Sequence, residues 1–371
     1  MSQKEEAQWA CSGPILPSSD LRLGRRLGLQ IYQLTLDWSH LQPKGRRFRC
    51  DPAHLEPYDR VVDHLLEQDL EPQFCLFGGE LPPSLQVDGG WAVRDTAKRF
   101  VDYADGVSRR LGDRVERWLT IQDLSKIASL ESSGLKPALS PSQRYLSSIH
   151  HLLLAHAWAG EVVCDNVRQP KIEVELRCPE PEAGADRDNA PSHHRWLLDP
   201  LEARGYPEEG LHDRRDEGVF ENLRPEFVED GDIDRIGQAV GGIQLIVDWP
   251  WEEARYDHLN SALERVRNRP LSLHLRQANE AEKPTHPARD ERRTRTLIDQ
   301  LETIAEIIRG GLEIQQLQLG PLLDEEHWSD GTEPRQGLVW VDPETRRRWP
   351  KSSGLALQRV LVECSLERNG H

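Results

Sequence analysis

The chain contains no apolar run approaching the roughly 18 residues that a membrane-spanning helix needs, so a membrane partner is not expected. Its opening residues, Met1-Ser2-Gln3-Lys4-Glu5-Glu6, lack the basic-then-apolar order of a secretory leader, and the expectation is a cytoplasmic protein. The six cysteines (Cys11, Cys50, Cys75, Cys164, Cys178, Cys364) are scattered, with no C-x-x-C pair and no His/Cys ligand spacing. Buried free thiols are therefore the reading favoured over disulfides or a metal site. A concentrated cationic face is missing too. The formal net charge is −16, and the densest basic run, Arg289 to Arg295, is interrupted by Asp290 and Glu291, which argues against nucleic acid. No phosphate loop is present, because Gly241-Gly242 precedes a strand instead of following one. His150, His151 and His156 fall on one helix, with the last two five apart; His193 and His194 belong to another helix, and His274 to a strand. No trio of metal ligands emerges, so no metal and no other cofactor is expected.

What is present is alternation. Short β-rich runs, several nearly continuous in apolar residues, are separated by longer helical patterns, as parallel strands covered by helices require. Eight strands are expected: Ala7–Cys11, Leu29–Leu36, Glu71–Phe77, Arg117–Gln122, Lys171–Cys178, Gly242–Asp248, Pro270–Leu275 and Leu312–Leu319. Helices are expected near Pro52–Gln68, Ala92–Leu111, Pro141–Cys164, Asp188–Ala203, Asp232–Ala239, Tyr256–Asn268 and Arg289–Arg309, with a closing helix over Ser352–Ser365. A chain of 371 residues could bury one large core or two ordinary ones. Eight β/α alternations fit a single α/β domain over 1–371, a (β/α)8 TIM barrel with shortened and irregular rim loops, the Pro-, Gly- and charge-rich stretch Ala183–Asp230 among them.

Arg117-Trp118-Leu119-Thr120-Ile121-Gln122-Asp123-Leu124 reads as a buried strand that delivers an amide and a carboxylate at its end. It resembles the Thr-x-Asn-Glu-Pro signature of family 1 glycoside hydrolases, the β-glucosidase-like enzymes. Tyr32 to Gly45, with Trp38-Ser39 at its centre, is similar to another segment of that family, as is Leu76 to Pro82 followed by Gly89-Gly90-Trp91. Phe100 to Ala104 and Leu111 to Val115 lead into the Thr120 motif at family-like spacing. His151 to Ala157, Asp199-Pro200-Leu201 with Gly205-Tyr206-Pro207, Gly337 to Asp342, and Pro350-Lys351-Ser352-Ser353 extend the resemblance over nearly the whole chain. It implies a TIM barrel and carbohydrate chemistry.

The resemblance also implies where catalysis should sit, and there the residues change. In the family a glutamate is the acid/base; Asp123 stands in its place, with Gln122 for the preceding asparagine. The nucleophilic glutamate at the end of strand seven corresponds to Leu275, and its supporting arginine to Gln33. A retaining glycosidase needs two carboxyl groups about 5–5.5 Å apart, and leucine can neither attack an anomeric carbon nor stabilise an oxocarbenium ion. The sugar-holding histidine and its aromatic neighbour fall on Gly78 and Gly79, and the tryptophan after strand eight on Gly320. In Glu325-Glu326-His327-Trp328 only the tryptophan persists. Glu280 could serve as a displaced nucleophile under a shifted alignment.

The expected function is that of a non-hydrolytic, β-glucosidase-like pseudoenzyme that binds, scaffolds or regulates, with an unidentified small molecule or protein as partner. The candidate pocket comprises Gln33, Trp38, Gly78, Glu80, Gln122, Asp123, Asp248, Trp249, His327 and Trp328, and Trp249-Pro250-Trp251 could form an apolar platform. The alternatives are changed chemistry, with Asp123 as general acid and a partner such as Glu80, or residual glycoside hydrolysis.

Overall fold

In the computed structural model, residues 7–45, 52–132, 139–177, 192–207, 226–249, 263, 266, 268–277, 288–324, 336–342 and 344–369 are described. Eight parallel strands close into a barrel in sequence order: β1 (Gln8–Ser12), β2 (Ile31–Thr35), β3 (Glu71–Phe77), β4 (Arg117–Ile121), β5 (Lys171–Arg177), β6 (Gly242–Trp249), β7 (Leu271–Gln277) and β8 (Gln316–Pro321). Around them lie α1 (Ser18–Arg26), α2 (Trp38–Leu41), α3 (Pro52–Glu67), α4 (Pro83–Asp88), α5 (Arg94–Leu111), α6 (Leu124–Ser132), α7 (Pro141–Asn166), α8 (Ser192–Leu201), α9 (Asp232–Gly237), α10 (Glu291–Arg309) and α11 (Ser352–Asn369). A small antiparallel pair, β9 (Val339–Val341) and β10 (Arg348–Pro350), lies outside the barrel. None of the described helices is long and apolar enough to cross a membrane.

All eight expected strands form, with β3 at the expected bounds. The last strand is displaced towards the C-terminus: it begins at Gln316 instead of Leu312, because Gly310 and Gly311 turn the chain out of α10 first. The expected helix Tyr256–Asn268 falls largely outside the described residues. Four helices escaped the sequence reading, α1, α2, α4 and α6, and α6 begins directly at the end of the Thr120 motif.

The helices are held by apolar faces that meet the outside of the barrel. On α5, Ala97, Phe100, Tyr103, Ala104, Val107 and Leu111 recur at helical spacing and are all buried. Helix α7 starts at a capping box, in which Ser140 Oγ accepts from the Gln143 N–H at 3.2 Å and Gln143 Oε1 accepts from the Ser140 N–H at 2.9 Å. Between α2, α5 and β3 the buried rings of Trp38, Phe77, Trp91, Phe100 and Tyr103 interlock, with Trp38 stacked on Tyr103 at 5.3 Å.

The family-like Pro350-Lys351-Ser352-Ser353 element ties the closing helix to the rim. Lys351 Nζ donates to Asp324 Oδ1 at 2.6 Å, and Ser353 donates its N–H and Oγ–H to Asp290 at 2.9 and 2.5 Å. Burial pushes the Lys351 ammonium down to about 8, against the pull of Asp324.

Side chains on a strand alternate between faces, and here the inward set is largely polar. Gln33, Gln73, Glu173, Gln244, Ser272, Gln316 and Gln318 are all buried inside the barrel. Glu173 accepts from Ser272 Oγ at 2.5 Å and from Gln73 Nε2 at 3.3 Å, while Gln316 Nε2 donates to Gln73 Oε1 at 2.8 Å. Burial holds the Glu173 carboxyl above its ordinary range even though these donors favour the charged form. Below them Arg117 reaches Gln8 and Gln316. A barrel core of this type is held by hydrogen bonds as well as by packing.

Candidate functional site at the barrel mouth

Chemistry on a TIM barrel collects where the strands end and the loops begin. At the end of β4 the chain turns sharply: Asp123 takes φ +44°, a left-handed conformation that aspartate tolerates better than most residues. The turn is fixed on both sides. The Gln122 N–H donates to the Phe77 carbonyl at 2.9 Å, and the Asp123 N–H donates to Glu175 Oε2 at 2.9 Å. The Asp123 carbonyl accepts from the Ile127 N–H at 3.1 Å and its Oδ1 from the Lys126 N–H at 3.3 Å, so the residue also starts α6.

Asp123 is thereby aimed at two guanidinium groups. Arg177, the last residue of β5, donates through Nη2 to Asp123 and through Nη1 to Asp248 on β6. Arg276 on β7 stands beside Asp248 in register, with Nη1 3.7 Å from Asp123 Oδ2 and Nε 3.8 Å from Asp248 Oδ1. Burial alone would lower the Arg177 guanidinium, but Asp123 and Asp248 outweigh it and hold it above its ordinary value. One layer deeper, the fully buried Glu175 accepts from the Asp123 N–H and faces His274 Nδ1 at 2.7 Å. The site is a lattice of alternating charges, with Arg177 between the two aspartates.

Breaking this lattice has a calculable cost. Arg177 and Asp248 are each more than a quarter exposed, so the penalty falls below that of a fully buried pair. Arg177→Met is expected to lower stability by about 2 kcal/mol in urea denaturation. The Arg177→Met/Asp248→Asn double variant should lose less than the sum of the two single changes. Simple additivity would show that the lattice is not coupled.

The structure brings together only part of the expected pocket. Asp123, Gln122 and Asp248 lie at the mouth. Trp38, expected there, does not: α2 turns it outward into the aromatic cluster, where it is 1% exposed and its Nε1–H donates to Gln42 Oε1 at 2.6 Å. Gln33 is buried within the barrel, level with Gln73. Glu80 is exposed and makes no ion pair among the described residues. The backbone of Trp249 ends β6, while Trp251, His327 and Trp328 lie outside the described residues.

Leu275 also points away from the mouth. The inward side chains of β7 are Ser272, His274 and Arg276, which bond or pair with Glu173, Glu175 and the two aspartates. Leu275 has the opposite parity and is buried in the apolar layer under the helices. The group that β7 presents to Asp123 is therefore Arg276. The sequence reading missed Arg177, Arg276, Glu175 and His274 as site residues. Their signal was the period-two polar pattern Glu173, Glu175, Arg177 and Ser272, His274, Arg276 inside otherwise apolar strands.

Gly78, Gly79 and Gly320, where the resemblance implies sugar-holding side chains, differ in what surrounds them. A Cβ on Gly78 would stand 2.6 Å from Thr35 Cγ2 and 3.2 Å from Gln122 Oε1, so that space is filled. At Gly320 a Cβ would meet the Gln336 carbonyl at 3.3 Å. At Gly79, with φ +140°, a Cβ would meet nothing within 4 Å among the described residues. Among the described residues no group of three or more His, Cys, Asp and Glu side chains could hold a metal ion. The described thiols Cys11, Cys75 and Cys164 are free, and burial pushes that of Cys75 up to about 12.

Comparison with known proteins places this geometry in context. The sequence profile of Glycosyl hydrolase family 1 matches residues 3–245. Thermostable beta-glucosidase B of Thermobispora bispora is 31% identical over 391 residues, covering 95% of this chain and 80% of that protein. Beta-glucosidase A of Thermotoga maritima is 25% identical over 386 residues, covering 94% and 86%. Among solved structures, the beta-glucosidase from Thermotoga maritima in complex with castanospermine superposes with a TM-score of 0.76 at 23% identity, covering 93% of this chain and 85% of that one. The AHE enzyme from Alicyclobacillus herbarius gives 0.77 at 24%, covering 94% and 86%.

Proposed function

The chain belongs to glycosyl hydrolase family 1, and from that premise we propose that it is a non-hydrolytic member whose barrel mouth serves binding. One observation carries this reading: the Arg177 guanidinium occupies the gap between Asp123 and Asp248. Double displacement at an anomeric centre needs two carboxyl groups that face the sugar across a space the sugar can enter, one of them free to attack. Here the Arg177 guanidinium stands between the two acids and engages both. The β7 group nearest Asp123, Arg276, is a cation that cannot act as a nucleophile.

The same contacts weigh against Asp123 as a lone general acid. Its Oδ2 is engaged by Arg177 with Arg276 alongside, and its Oδ1 accepts the Lys126 N–H, so neither oxygen is placed to hand a proton to a ligand. The relatives named beta-glucosidases share the barrel with this chain and a quarter to a third of the aligned residues. Function on a barrel nevertheless resides in the site and not in the scaffold.

The test is hydrolysis of a panel of aryl β-glycosides by the full chain. No release above the uncatalysed rate is expected. Saturable release that disappears in Asp123→Asn would sink the reading and return the chain to the hydrolases.

A further inference from the structure

We propose that the mouth takes an oxyanion group of a small molecule, carboxylate or phosphate, on Arg276. The inference builds on the reading of the mouth as a binding site and adds the chemistry of what is bound. The two arginines of the lattice are not equivalent. Arg177 is used up, with one nitrogen on each aspartate. The Arg276 guanidinium stands 3.7 and 3.8 Å from the same carboxylates, beyond hydrogen-bond length, and donates no hydrogen bond to any described residue. Its side chain is 35% exposed, so solvent reaches it.

The consequence is a guanidinium held in place from one side and unspent on the other. Asp123 and Asp248 match the two arginines in number, with Glu175 one layer deeper against His274, and they hold Arg276 at the mouth without consuming its N–H donors. Five such donors in a planar fork match the paired oxygens of a carboxylate or phosphate, and an ammonium could not match them in the same way. A cationic ligand is disfavoured, because Arg177 already occupies the aspartates it would need.

The strand that faces Arg276 across the barrel is β3. In a closed barrel of eight strands, β3 is diametrically opposite β7, and β3 runs out into Gly78-Gly79, where a Cβ on the second would meet no described atom within 4 Å. Gln122, next to Gly78, offers an amide on the same side.

The experiment is calorimetric titration of the full chain with sodium phosphate and, separately, sodium malonate, with chloride holding the ionic strength constant. One-to-one saturable binding of at least one probe is expected. Arg276→Gln should weaken it at least tenfold, and Arg276→Lys should fall between, because lysine keeps the charge and loses the fork. Binding of phosphate alone points to a phosphorylated ligand, and binding of malonate alone to a carboxylic acid. Absence of saturable binding by both probes, or affinity unchanged in Arg276→Gln, overturns the proposal. If Arg276→Gln does not fold, an affinity unchanged in Arg276→Lys overturns it equally. Hydrolysis of aryl glycosides with anion binding intact would remove the non-hydrolytic reading alone. Absence of both would remove only the oxyanion site.

Discussion

Between pH 7 and about pH 5, the buried histidines His151 and His156 of α7 will together remove roughly 4 kcal/mol of folding stability. Both are held neutral by burial, which pushes each from 6.5 down to about 3; the neighbouring His150 adds to the effect on His151, and Arg269 to that on His156. Each keeps a specific partner in the neutral form. His156 Nδ1 lies 2.8 Å from Thr120 Oγ1, and His151 Nδ1 lies 2.9 Å from the Trp91 carbonyl. Both are bases whose folded pKa lies below that of the unfolded chain. Stability present above pH 6.5 is therefore lost as the pH falls toward 3, at about 1.4 kcal/mol per pH unit for each ring. Burial pushes His150 the same way, against the pull of Asp232.

Acids with raised values oppose this in part. Burial holds Glu173, Glu131 and Asp324 above their ordinary ranges, so the folded state binds their protons first and gains stability as the pH falls. The histidine contribution can still be isolated. Urea midpoints across this pH range should show proton uptake on unfolding, and His156→Gln should reduce that uptake by close to one proton. An unchanged slope in His156→Gln would mean that this ring is not held neutral in the folded chain.

His156 also shows which parts of the fold could be read from sequence. The Thr120 motif and the His151 to Ala157 segment were both visible as patterns, and the strand and helix that carry them formed as expected. Their joining by a Thr120–His156 contact was not visible, because it links residues 36 apart through the packing of α7 on the barrel. The mouth shows the same limit more sharply. Asp123 was legible as a strand-end carboxylate because the local motif places it there. Arg177 lies 54 residues from Asp123 and 71 from Asp248, and only closure of β4, β5 and β6 into adjacent strands makes it their common partner.

Leu275 and Arg276 illustrate a second limit. Matching a short segment against a family pattern assigns positions by counting, whereas a strand assigns side chains by alternation. A shift of one residue exchanges the barrel interior for the helix layer. On β7 the alternation sends Leu275 outward and Arg276 inward, so the residue that faces Asp123 at the mouth is the neighbour of the one the pattern selects. The polar inward faces of β5 and β7 carried that information, since Glu173, Glu175 and Arg177 would be misplaced anywhere but on the same side of one strand.

The second large effect is expected away from the mouth, at Asp232. Asp232→Ala should cost about 3–5 kcal/mol, because it removes the one acceptor shared by four donors. Arg94 forms a bidentate pair with this carboxylate, both contacts at 2.7 Å; the Glu229 N–H donates at 2.8 Å, and His150 Nε2 lies at 3.0 Å. Burial disfavours the ionised form of Asp232, but Arg94, His150 and the Glu229 N–H outweigh it and hold the carboxyl well below its usual range. With His150 neutral, Nε2 carries the proton toward Asp232, and Nδ1 accepts from the Tyr206 hydroxyl at 2.7 Å. One carboxylate thus joins α5, α7 and α9 to the segment that carries Tyr206. Without it, Arg94 keeps only the more distant Glu229 carboxylate at 3.3 Å and the face of Trp158 at 5.3 Å. Asp232→Asn retains one acceptor oxygen and should cost about half as much. Thermal or urea unfolding of the two variants checks the ranking, and equal losses would show that the carboxylate's charge, and not hydrogen-bond acceptance alone, holds the junction together.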